Sequence, residues 1–213
     1  MARKNYKTPA QYKLTDLEHD EEQPYEIDLA PLLRQSAKQN SQSRVNRLLY
    51  KAHVVKGHGS LKRGDRDTDV YRDATYTMIL STTIAKIKWL RWLPRVLMPS
   101  KYVCNLALAC IGFEINQKDI LVKQIQGVQG MKNELKRIHW EKFLLKLVED
   151  WAHANGFEKI SVLKAEKNHW WHVNNSDAKK QRFKMHYDVT AKRSGFKFCP
   201  EEECYVKRLI ATA

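Results

Sequence analysis

Residues 124–130 read QIQGVQG, between the apolar, strand-like DILVK and a long basic segment of helical character. Two glycines three residues apart at a strand-to-helix junction mark a loop whose backbone can approach a phosphate. Orphan N–H groups and the helix dipole attract anions there. The spacing alone leaves open whether this loop holds a ligand or only turns a corner. Just upstream, Glu114 stands in an otherwise apolar run, VCNLALACIGFEI. A carboxylate on a central strand is unusual. Glu114 is therefore a candidate general base acting through a water, although an edge or solvent position would explain it equally well.

Other constellations carry less chemistry. His169 and His172 in HWWH lie three apart with no thiol or carboxylate nearby, a poor zinc pattern. The two tryptophans there are expected to cover a cleft or the core edge; exposed beside basic residues they could also stack bases. Cys199 and Cys204 are separated by four residues, PEEE, and Cys104 and Cys110 sit in an apolar strand, so no metal is expected. Asp65, Asp67 and Asp69 copy the first half of a calcium loop. Val70 stands where glycine is needed and Tyr76 where the bidentate glutamate belongs, so a charged turn is expected. No nucleophile elbow, phosphate loop or dinucleotide fingerprint is present.

The elements that must position these residues can be read from periodicity. Residues 1–69 form a polar N-terminal extension, partly helical or disordered, with Arg44–Val55 a short helix and residues 56–69 a loop. The body, 70–213, opens with YTMILSTTIAKIKWL and VCNLALACIGFEI as strands, the second apolar on both faces and hence central. Asn116–Asp119 turns the chain into a third strand, ILVKQIQ. A helix over Asn133–Asn155 carries Leu144, Leu147, Val148 and Trp151 at i, i+3, i+4 and i+7, a buried stripe, and Gly156 ends it. EKISVLKA is a strand, AKKQRFKMHYDVTAKR a helix ended by Gly195, and CYVKRLIA a last strand. The order is α/β with a mixed sheet and packed helices.

That order, with DILVKQIQG…LLKLVEDWAHANGFEKISVLKAEKN and YDVTAKRSGFKF, resembles the GNAT superfamily of N-acetyltransferases over about residues 103–198. The resemblance implies a GNAT-like mixed, mostly antiparallel sheet with a splayed parallel strand pair and helices on both faces. It also implies acetyl-CoA as donor. In the family the pantetheine pairs with the first splayed strand, here Ile120–Gln126, and the pyrophosphate sits on amides at the start of the next helix. Gln124, Ile125, Gln126, Gly127, Val128, Gln129 and Gly130 are then the cofactor loop. This loop departs from the family pattern at Gln129, where a small residue is expected; Gly130 comes one late. Counted back from WAHANG, the family's loop would instead fall on KRIHWE, which has no glycine, so some ten residues are extra. Either QIQGVQG is the cradle, or an inserted basic loop with Lys132, Lys136 and Arg137 holds the phosphates; a degraded site that binds nothing is the third reading.

The resemblance further places Tyr187, eight residues before Gly195, as the proton donor to the departing thiolate. A phenol with pKa about 10 suits that task. Asn168 resembles a family asparagine that holds the pantetheine arm, with Asn174 or Asn175 as substitutes. Amides near Ile125 would face the developing oxyanion. The acceptor is then a primary amine.

Charge gives the competing reading. Lys and Arg exceed Asp and Glu by 14, which attracts polyanions. A non-catalytic GNAT-like module that binds nucleic acid or a ribonucleoprotein through this basic surface is the alternative. The most apolar run, Val103–Phe113, is about half the roughly 20 residues a bilayer needs. No signal peptide is visible, so a cytoplasmic protein with reduced cysteines and no membrane partner is expected.

Overall fold

The computed structural model describes residues 25–27, 50–63, 66–85, 103–173 and 176–209. Most of the polar extension, the proline-containing stretch before Val103, and Asn174 and Asn175 lie outside the described residues. The strands are β1 (Tyr25–Ile27), β2 (Tyr50–Lys56), β3 (Gly59–Arg63), β4 (Arg66–Arg72), β5 (Tyr76–Ala85), β6 (Val103–Asn116), β7 (Asp119–Gly127), β8 (Lys159–Leu163), β9 (Lys197–Cys199) and β10 (Cys204–Arg208). The helices are α1 (Lys132–Ile138), α2 (Trp140–Ala154), α3 (His169–Val173), α4 (Asp177–Lys184) and α5 (Thr190–Arg193). A 3₁₀ turn spans Ala165–Lys167, and a π turn, Met185–Val189, joins α4 to α5.

The fold is α/β, with one mixed, mostly antiparallel sheet in the order β1-β2-β5-β6-β7-β8-β10-β9; the β3–β4 hairpin attaches where Arg63 meets Leu106. Among the described residues β7–β8 is the parallel pair, in register from Asp119↔Lys159 to Val122↔Val162. Such a pair needs a crossover, and α1–α2 supplies it.

The chain's hydrophobic pattern sorts onto two faces. The larger core sets Met78, Leu80, Leu108, Ile111, Phe113, Ile120 and Val122 against α2, and the predicted stripe Leu144, Leu147, Val148 and Trp151 is fully buried there. Each such side chain contributes about 1.5–3 kcal/mol on burial. Phe113 joins Tyr76 (5.9 Å between ring centroids) to Trp151 (5.4 Å), and Trp151 continues to Phe157 (5.6 Å). The second cluster packs Ile79, Ala107, Cys110 and Val128 beneath Leu61 and Val70 of the β3–β4 hairpin. Helices on both faces were expected. Among the described residues, the helices join the first core, and a hairpin closes the second face instead.

Three expectations are corrected here. Residues 56–69 are not a loop: they hold all of β3 and the start of β4, and Tyr50–Lys56 is a strand rather than the end of a helix. The sheet therefore begins before residue 70. Polar composition misled because the charged residues surround Leu61, whose side chain is buried in the second core. Finally, the helix over 133–155 is two helices, broken at His139, whose φ is +48°. The reason lies beneath it. A Cβ at Gly127 would sit 2.9 Å from Leu135 Cδ1 and 3.4 Å from Trp140 Cζ2, so both side chains drop onto this glycine. Five residues apart on a continuous helix, they would point about 140° from each other. The break lets both reach the same spot.

Glu149 of α2 is buried and bonded through both oxygens to Lys207 Nζ of β10 (3.0 Å each); the ammonium also donates to Ser194 O (3.1 Å). Burial pushes the Glu149 carboxyl up, and Lys207 only partly draws it back. A raised folded value means that Glu149 favours the native state below its unfolded range, and that this contribution is lost as pH rises through the folded value. Lys207→Met removes the compensating charge. Lys207 keeps 32% of its side chain exposed, which screens the pair. The variant should lose about 1–3 kcal/mol at pH 7, and the loss should shrink toward pH 4. Urea unfolding of both proteins across that range checks the direction.

Candidate active site at the parting of two parallel strands

The β6–β7 register runs Phe113↔Val122 and then Gly112↔Gln124, so Lys123 is an extra residue, a β-bulge. Bulges bend the strand that carries them. Pairing between β7 and β8 ends at the residue just before it, Val122↔Val162. Beyond that point β7 runs on to Gly127, with its outer edge no longer paired to β8. Peptide groups exposed in this way need other partners.

Two side chains meet that need. Tyr187 Oη accepts from the Ile125 N–H (3.0 Å) and donates to the Lys123 carbonyl (3.1 Å). Asn168 Nδ2 donates to the same carbonyl (2.9 Å) and to Tyr187 Oη (3.0 Å), while its Oδ1 accepts from the Trp170 N–H (2.9 Å). A phenolic hydroxyl donates once and accepts twice, so Tyr187 is fully used. Burial pushes its phenol well above the usual range; the Ile125 bond pulls it back, and the charge of Asp73 adds to the rise. The proton thus stays on Tyr187.

The π turn holds this tyrosine in place. Thr190 Oγ1 donates back to Met185 O (3.0 Å), His186 Nδ1 meets Glu141 Oε1 of α2 (2.9 Å), and Asp188 Oδ1 accepts from the Ala165 N–H (2.9 Å) just past β8. Neighbouring residues of one turn thereby fasten β7 and the chain leaving β8. π turns recur at functional sites.

Of the residues assigned from sequence, Ile125, Tyr187 and Asn168 come together and the rest of the loop divides. Gln124 is 2% exposed and turned away. Its Nε2 donates to Tyr71 O (2.6 Å) and Gln126 Oε1 (3.0 Å), and its Oε1 accepts a long bond from the Asp73 N–H (3.5 Å). Gln124 and Gln126 thus serve the β4–β5 turn rather than a cofactor. Gly112 makes room for this: a Cβ there would lie 2.9 Å from Ala74 Cβ and 3.0 Å from Gln124 Oε1. Gly127 serves helix packing. Val128 is buried and its N–H goes to Leu108 O (2.8 Å). The Gln129 N–H meets Asp69 Oδ1 (3.4 Å). Gly130, at φ +84°, turns the chain with open space around it. Lys132 and Lys136 are exposed on α1; Arg137's side chain lies outside the described set.

Glu114 is not set up as a base. Partial burial pushes its carboxyl up, but the Thr75 N–H (3.2 Å) and the Lys123 ammonium (3.6 Å) outweigh this and hold it below the usual range. It pins the same turn as Gln124. Two residues of this network carried no signal in the sequence: Lys123, because a bulge leaves no composition mark, and Asp73, which a distant element brings to Trp170, one of the two tryptophans expected over a cleft or the core edge. Asp188 could have been found as the neighbour of Tyr187. No metal-ligating group of three or more His, Cys, Asp or Glu exists among the described residues, and no helix there is long and apolar enough to cross a membrane.

No family model, curated protein or solved structure matches this chain.

Tyr187→Phe leaves the Ile125 N–H and one Asn168 N–H without an acceptor and should cost about 1–3 kcal/mol. Asn168→Ala should cost a similar amount. Because the two share a bond and an acceptor, the double variant should fall short of additivity by about 0.5–3 kcal/mol, read from a double-mutant cycle of denaturant midpoints.

Proposed function

We propose that the protein is an acetyl-CoA-dependent N-acetyltransferase of GNAT type, acting on a primary amine. The observation that carries this reading is the unpaired edge of β7 past Val122, with Tyr187 Oη on the Ile125 N–H inside the gap. Acetyl-CoA would supply an activated acetyl thioester.

The residues fit its two ends unequally. For the pantetheine arm the fit is good. The Lys123 carbonyl and Ile125 N–H lie on an edge that no strand covers, and the Asn168 amide stands beside them. Tyr187 shields that edge when the gap is closed, and its bonds can be exchanged one for one. For the phosphates the fit is partial. Gly130 has open space, and Lys132 and Lys136 are exposed nearby, but the amide of Gln129 already meets the Asp69 carboxylate. QIQGVQG thus seats the crossover helices on Gly127 and leaves Gly130 and the start of α1 for an anion.

The chain's own groups then divide the work. The Ile125 N–H is a fixed donor for a developing oxyanion, in a buried site where such a bond is strong. Tyr187 retains its proton and must transfer it from the Lys123 carbonyl to the leaving sulfur. Asn168 and Asp188 keep the phenol and the chain past β8 in register during that exchange.

A second reading rests on α4. None of its residues is buried, and it presents Lys179, Lys180, Arg182 and Lys184; Lys180 and Lys184 lie 5.7 and 5.5 Å from the Trp171 ring centroid. A basic helix whose apolar contact is Phe183, partly buried against the core, together with a cation-flanked tryptophan, suits a nucleic-acid backbone. This reading predicts RNA affinity that falls steeply with salt and no response to acetyl-CoA.

Thermal-shift titration with acetyl-CoA and a thiol-release assay with a small primary amine decide between them. Tyr187→Phe should lower the transfer rate roughly 100-fold or more while acetyl-CoA still raises Tm. Asp69→Asn should tighten CoA binding roughly 2–5-fold by removing an exposed like charge, measured by calorimetry. Absence of any thermal shift with millimolar acetyl-CoA sinks the transferase reading.

A further inference from the structure

The turn between β4 and β5 carries a carboxylate that the acetyl-transfer chemistry above does not use. Asp73 is held by its own backbone: its N–H meets Gln124 Oε1, and flanking Tyr71 O and Thr75 N are bonded to Gln124 and Glu114. Its Oδ2 accepts from Trp170 Nε1 (3.3 Å). Its Oδ1 is buried and has no hydrogen-bond partner. Arg72, the adjacent cation, is turned to the carbonyls of His58 and Gly59 (3.4 Å each). Among the described residues no ammonium or guanidinium pairs with Asp73.

The place of this carboxylate matters more than its chemistry. Asn168 bonds both to Tyr187 Oη and to the Trp170 N–H, and Trp170 bonds to Asp73. One short chain of contacts therefore leads from the gap between β7 and β8 to Asp73. The charge of Asp73 reaches both the Tyr187 hydroxyl and the Cys110 thiol, the second of which burial pushes up to about 12. Both neighbours are neutral. A buried carboxylate oxygen without a donor, beside neutral groups and an indole that is 42% exposed, calls for a small hydrogen-bond donor with positive charge.

We propose that Asp73 Oδ1 and the indole of Trp170 form the seat of a primary amine that arrives as its ammonium and, once it has given a proton to solvent water and freed its lone pair, is the acceptor of the reaction. Calling this cation the acceptor rests on the acetyl-transfer reading; the seat itself does not. An alkylammonium donates to Oδ1 while the indole swings off Oδ2 and flanks the alkyl chain. The long Trp170–Asp73 bond is the contact that gives way. The seat selects amines over alcohols of the same size, because a neutral hydroxyl leaves the carboxylate charge uncompensated.

n-Butylamine, protonated at neutral pH, is titrated into the full chain without acetyl-CoA. Indole N–H resonances are followed, with Trp170 assigned from Trp170→Phe. A saturable shift of the Trp170 signal is expected. n-Butanol should leave it unmoved, and Asp73→Asn should weaken the ammonium at least tenfold with the other indole signals unchanged. The proposal is overturned if wild type gives no saturable shift, if n-butanol matches n-butylamine, or if Asp73→Asn binds like wild type. Should Asp73→Asn fail to fold, the alcohol comparison on wild type decides in its place, with a several-fold weaker n-butylamine affinity in Trp170→Phe read by calorimetry. Acetyl-CoA thermal shifts on the same wild-type sample are read separately: their absence removes the transferase reading and leaves the ammonium result standing on its own.

Discussion

Buried peptide groups must be hydrogen-bonded, and the centre of this molecule is a place where a strand loses its partner. At Lys123 the bulge turns β7 away from β8, and the next carbonyl and amide face a gap instead of a neighbour. Leaving them bare would cost about as much as a lost hydrogen bond apiece. A tyrosine and an asparagine from two other segments answer the need. Much of the local architecture follows from bringing those two side chains to that edge: the π turn, the Asp188 clasp on Ala165 and the short turn leading to Asn168. A polar network that closes a sheet so well is also one whose bonds can be traded for those of an incoming group with the same donors and acceptors.

The glycines divide the same labour. Gly112 and Gly127 are needed for what presses on them, Gln124 on one face and Leu135 with Trp140 on the other. They let the turn before β5 and the two crossover helices lie close against opposite sides of the same pair of strands. Gly130, with φ +84°, is needed for its backbone angle. A glycine pattern that reads as a ligand loop is, in one of its two glycines, a packing device.

Sequence periodicity made the helical crossover, the central strands and their order legible because each buries one regular stripe. Leu144, Leu147, Val148 and Trp151 stand where 3.6-residue spacing puts them. The break at His139 was not legible, because its cause is a glycine on another element. The hairpin of residues 59–72 was hidden by its charges: Leu61 and Val70 alone mark its inner face in the second core. Tyr187 and Asn168 were singled out through the family resemblance, by their places before Gly195 and after β8, and the structure brings both to the Lys123 carbonyl. Gln124 was assigned to a ligand because Gln124-x-x-Gly127 fits the loop of the resembled family, and that pattern does not say which face of the strand the side chain takes. Asp73 lies 97 residues from Trp170, and a partnership across that distance leaves no trace in either neighbourhood.

A π turn contains one residue more than the helix around it. Taking one out of Met185–Val189 would restore regular winding and rotate everything on its far side by about a third of a circle. Exposed positions such as Met185 can change identity freely, yet the number of residues between Phe183 and Gly195 is fixed by the distance a phenol must span. Drift in this segment is therefore permitted by letter and forbidden by length.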